Sequence, residues 1–89
     1  MVNGVSDAQL DAARGVFDVW AGILQRKVVE ERLSPTPDTE KIKDYQAAIY
    51  AVTRHSRELG AMDLSTLNAA VDKYAALISE FRGSKAEVL

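Results

Sequence analysis

The side chains able to do chemistry in this chain are few. His55 is its one histidine and cysteine is absent, so the acid–base and nucleophilic repertoire reduces to a single imidazole and scattered carboxylates. General acid–base catalysis needs a base held by an orienting partner within hydrogen-bond reach. His55 stands between Arg54 and Ser56, and its helical neighbours at three and four positions are Ala51, Val52, Glu58 and Leu59. That is the setting of a structural histidine on a surface or at its edge. Carboxylates could instead hold a hard cation, which needs several oxygens converging on one point. Asp11 and Asp18 stand two helical turns apart, however, and Glu30 and Glu31 are flanked by Arg26, Lys27 and Arg32. These charges are expected to form solvated pairs four residues apart, Arg14 with Asp18, Arg26 with Glu30, Lys27 with Glu31 and Arg54 with Glu58, each contributing a few tenths of a kcal/mol. The glycines are dispersed, so no phosphate-cradling loop forms. The expectation is a protein that is not an enzyme, with no catalytic residue, no metal and no cofactor.

One surface does gather cations. Lys43, Ala47, Tyr50, Arg54 and Arg57 recur at four- and three-residue steps on one side of a helix, a possible patch for an anionic partner. The segment 57–76 also has the outline of a helix-turn-helix, the basis of an alternative function as a small DNA-binding regulator. Its details weigh the other way. Asp63 and Leu64 lengthen the turn, and the would-be recognition helix sets Asp72 against Lys73 with no arginine before Arg82. A net charge of −2 and a pI near 5.3 give no overall attraction to polyanions. Nucleic acid is therefore the disfavoured partner.

These residues must be positioned by helices. At 89 residues there is room for one domain, and 47% hydrophobic with 27% charged residues is a globular composition. Leu10, Ala13, Phe17, Trp20, Leu24 and Val28 recur at three- and four-residue steps. Ser6 with Gln9 supplies a capping box ahead of them, and Val5 can staple onto Leu10. Pro35 stops this first helix. Thr36 is expected to cap a second helix that begins at Pro37 and carries Ile42, Tyr45, Ile49, Val52 and Leu59 inward, with Gly60 as a left-handed stop. Asp63 or Ser65 should cap a third, with Leu67, Val71, Tyr74, Ile78 and Phe81 inward and Gly83 ending it. The spacing thus predicts an all-α, three-helix up-down-up bundle built on a long helical hairpin, with helices over about 7–33, 37–59 and 64–82 and a frayed tail over 84–89. No leader and no spanning segment of roughly 18 or more apolar residues is visible, so a cytoplasmic chain without membrane contact is expected.

Helix one carries more apolar surface than one member of such a bundle needs. Val16, Val19 and Ile23 form a second row beside Phe17, Trp20 and Leu24, and Val16, Val19, Trp20 and Ile23 are the expected partner interface. Gly15 and Gly22, one heptad apart, lie on nearly the same side of the helix with Asp11 and Asp18 close by. Small residues there permit close backbone approach, but at a helix-propensity cost of roughly 1 kcal/mol each they read more simply as tolerated. Two local likenesses supply no residue roles. Trp20-Ala21-Gly22 is similar to the WxG tripeptide of small secreted helical-hairpin proteins, where it marks the turn instead of the middle of a helix. Pro35-Thr36-Pro37-Asp38 with Tyr45-Gln46 resembles type III secretion needle subunits over about half the chain, with different loop spacing. The functional expectation is a non-enzymatic interaction module that self-associates, most simply as a dimer, or binds a protein through helix one. A helical-hairpin subunit or chaperone of a secretion or phage assembly is a further alternative.

Overall fold

The computed structural model describes the backbone over residues 5–88 and the side chains over residues 5–83. It is all-α, with α1 spanning Asp7–Leu33, α2 spanning Thr39–Arg57 and α3 spanning Leu64–Val88, and no strand among the described residues. A 3-10 turn, Leu59–Ala61, joins the last two. The capping box is present: Gln9 N–H donates to Ser6 Oγ at 3.2 Å, and Ser6 N–H donates to Gln9 Oε1 at 2.8 Å. Val5 is buried and Leu10 packs against the same core, as a hydrophobic staple requires.

The connections differ from the expected ones, for local reasons. Thr36 followed by Pro37 is a suitable cap and first helical position, but Glu31 accepts from Asp38 N–H and Asp38 itself stays extended, so the helix starts two residues later. Asp38 takes its place as the cap of α2, its carboxylate accepting from the N–H groups of Glu40 at 3.0 Å and Lys41 at 3.2 Å. At the far end α2 stops at Arg57, because Glu58 N–H is shared between the carbonyls of Arg54 and His55 and the chain tightens into the 3-10 turn. Gly60 lies inside that turn and not in a left-handed stop, while Leu59 beside it is 1% exposed and pins the turn to the core. Asp63 is the cap of α3, accepting from Thr66 N–H at 2.7 Å. Gly83 does not end α3, which continues to Val88; the tail expected at 84–89 is thus helical over 84–88, and Leu89 lies outside the described residues.

Helix α1 is the shared partner. Its buried residues Ala13, Phe17, Trp20, Ile23 and Leu24 form one cluster with Val52 of α2 and Leu67, Tyr74 and Ile78 of α3, and Val28 is buried farther along the same face. Each large apolar side chain so covered contributes about 1.5–3 kcal/mol of transfer free energy. The packing runs α1 on α2 and α1 on α3, whereas α2 and α3 scarcely meet. The result is a flattened body with extents of 50 × 27 × 15 Å. With α2 and α3 flanking α1, the side of α1 turned away from its core stripe is left bare.

Candidate interaction surface

The expected interface residues divide between core and surface. Trp20 and Ile23 are 9% and 7% exposed and belong to the core cluster, Val16 is half-buried, and Val19 is 41% exposed. The outer surface of α1 is therefore narrower on this side than a four-residue row. Trp20 turns inward because α3 brings Leu77 and Phe81 alongside it, with Lys27 closing the same recess. The Lys27 ammonium stands 4.9 Å from the Phe81 ring centre and 5.5 Å from that of Tyr45, so its charge is held over two aromatic faces, one from each neighbouring helix.

Outside this core lies a groove between α1 and α3 of about 580 Å³, lined by Ala12, Gly15, Val16 and Val19 on one side and Ala75, Ile78, Ser79 and Arg82 on the other. A second recess of about 460 Å³ continues it past Gly22 and Arg26. Helical rotation of 100° per residue puts these small and apolar positions of α1 on its side away from Leu24. A Cβ built on Gly15 or Gly22 meets nothing within 4 Å, so these glycines face open space. Val29 and Leu33 are 54% and 80% exposed. They continue the steps of Val19 along α1, a spacing legible in the sequence.

The other candidate residues lie elsewhere on the fold. His55 is half-buried, and its Nδ1 lies 2.6 Å from the Tyr74 hydroxyl, with which it shares a hydrogen bond. The Phe17 ring stands edge-on to Tyr74 at 5.1 Å, so imidazole and phenol are seated among core aromatics. Burial pushes the Tyr74 hydroxyl above the ordinary tyrosine range, while the nearby Arg54 charge opposes that shift. No group of three or more His, Cys, Asp or Glu side chains able to hold a metal ion occurs among the described residues. Lys43, Ala47, Tyr50, Arg54 and Arg57 are all exposed, Tyr50 at 66%, and Lys43 is drawn to Glu40 at 3.8 Å. Arg14 pairs with Asp11 at 3.3 Å, three residues back, in place of Asp18. Glu31 serves the loop after α1, accepting from Asp38 N–H at 3.0 Å and from the Ser34 hydroxyl at 3.5 Å. Among the described residues, no helix is long and apolar enough to cross a membrane. Comparison with protein-family models, curated proteins and solved structures finds no match to this chain.

Proposed function

We propose that this protein is a non-enzymatic helical interaction module that holds a protein partner, or a second copy of itself, through the outer side of α1 and the groove between α1 and α3. The observation that carries this reading is the apolar groove beside the exposed Val19, open where a bundle with a further helix would be filled. Exposed apolar surface with small residues at its centre favours a docked helix, since glycines let the two backbones approach closely. Arg82 at the groove's edge and Arg26 farther along supply the polar rim of such a site.

The test is a photoreactive side chain placed at Val19 and, as control, at the exposed Asp72, with crosslinking in the cells that make the protein. A defined protein adduct from position 19 and not from position 72 supports the module. Absence of any adduct from position 19 overturns it.

A second reading, nucleic-acid binding through Lys43, Tyr50, Arg54 and Arg57, is favoured by one observation, the exposure of Tyr50 among cations. It is the weaker of the two, because α2 and α3 rest on α1 and scarcely on each other, unlike the paired helices of a helix-turn-helix.

A further inference from the structure

The bare side of α1 carries its own repeat. From Ala8 to Leu33, residues follow at alternating four- and three-residue steps through Ala12, Gly15, Val19, Gly22, Arg26 and Val29, and every one of them is exposed. This is the period-3.5 row of a coiled-coil seam, running nearly the whole of a helix about 40 Å long at 1.5 Å per residue. Among the described residues, three of the four exposed large hydrophobics, Val19, Val29 and Leu33, stand on it. The core stripe centred on Leu24 occupies the opposite side, so the same helix presents two separate faces for packing.

We infer that the occupant of this seam is α1 of a second copy, packed antiparallel, an inference that rests on the interaction-module reading above. The sizes along the row fit such a pairing. Turned about a two-fold axis between Val19 and Gly22, the row sets Ala8 against Leu33 of the second copy, Ala12 against Val29, Gly15 against Arg26 and Val19 against Gly22. Every larger side chain meets an alanine or a glycine, and each pair occurs twice by symmetry. A parallel pairing would set glycine on glycine twice in the middle of the row, Arg26 on Arg26 and Leu33 on Leu33 at its end, with gaps, like charges and crowding in place of fit.

The flanking charges agree with the same register. Asp11 and Arg32 border the seam on one side, at positions that face each other across an antiparallel pair. The contact of Asp11 with Arg14 is a solvent-exposed pair, of a kind weak enough to be exchanged or shared. The Arg26 stem would lie over the backbone of Gly15 with its guanidinium between Asp11 and Asp18 of the second copy. On the other border the half-buried Val16 stands at the edge of the groove between α1 and α3.

Light scattering and sedimentation of the intact chain, followed by disulfide trapping, test the proposal. The expected mass is twice the 9.7 kDa of one chain; a monomer up to high micromolar concentration overturns self-pairing. Because the chain has no cysteine, Ala12→Cys and Val29→Cys chains can be mixed and oxidised cleanly. The antiparallel register is expected to give the mixed disulfide in excess, and homodisulfides alone overturn it. Gly22→Leu should abolish the dimer without lowering the melting temperature of the monomer, since the new side chain enters open space in one chain and strikes Val19 of the other. A dimer that survives Gly22→Leu also overturns the proposal. If the chain is monomeric yet crosslinks from Val19 to a different protein, self-pairing fails and the module reading stands. If neither is seen, both fail.

Discussion

The Tyr74 hydroxyl lies 2.6 Å from Nδ1 of His55, so a residue of α3 and a residue of α2 are joined by a hydrogen bond beside the ring of Phe17. Tyr74→Phe keeps the ring and removes the bond. It should cost about 1 kcal/mol in urea denaturation, the typical net value of one internal hydrogen bond. Phe17→Ala, at a site 1% exposed, should cost about 3–5 kcal/mol, a large share of the stability of so small a domain. Equal effects from the two would mean that the polar tie, and not the apolar core, holds the helices.

The raised Tyr74 ionisation makes the fold sensitive to alkali. Its contribution is complete below the ordinary tyrosine value of 10.0 and is lost as pH rises through the higher value of the folded state. Stability should therefore fall as pH rises from 10.0 toward the folded-state value, and the fall should be shallower in Tyr74→Phe. Urea midpoints measured across that range for both chains check this.

At the acid end the relevant group is Asp63. Hydrogen bonds from the Thr66 backbone and then the Thr66 hydroxyl hold its carboxyl below the ordinary 3.8. A depressed carboxyl contributes stability above that value and loses it as pH falls through the lower one. Asp63→Asn retains a capping oxygen and removes the titration. The melting temperature of Asp63→Asn should therefore change less than that of the parent between neutral and strongly acidic pH.

Glu31 clasps the loop between α1 and α2 from the last turns of α1. Glu31→Ala frees Asp38 N–H and the Ser34 hydroxyl and should destabilise by about 1 kcal/mol. If Glu31 acts instead as the surface partner of Lys27, raising the salt concentration should erase the difference between the two chains. Thermal melts at two ionic strengths separate these cases, and a salt-independent loss is expected.

For the basic patch of α2, the expected outcome is no duplex DNA binding at low salt. Binding that weakens steeply with added salt and disappears in Arg54→Ala, Arg57→Ala would move nucleic acid ahead of the protein partner. Fluorescence anisotropy of a labelled duplex provides the measurement.

What could be read in advance was local or periodic. The Ser6 cap depends on residues three apart, and the core stripe from Ala13 to Val28 depends on the 3.6-residue repeat, so both were visible in the sequence. Thr36 and Asp38 could not be separated by side-chain type, since either can cap, and what distinguishes Asp38 is its N–H bond to Glu31, seven positions away. Gly60 and Gly83 carry the composition of helix stops, but glycine permits a left-handed residue without requiring one, and the backbone passes through both otherwise. Trp20 was ambiguous because large aromatics serve cores and interfaces equally well, and its environment is decided by α3, distant in sequence. The His55–Tyr74 bond spans 19 positions and joins two helices whose relative placement no local pattern encodes.

The way α2 and α3 each rest on α1 and hardly on one another also bears on how the molecule opens. A bundle in which every helix grips every other tends to open as one unit. Here α3 can lift away while the hairpin of α1 and α2 stays closed, at the cost of uncovering Phe17 and parting Tyr74 from His55. Amide hydrogens of α3 should then exchange with solvent through this partial opening, sooner than those at the centre of α1, which must await unfolding of the whole chain.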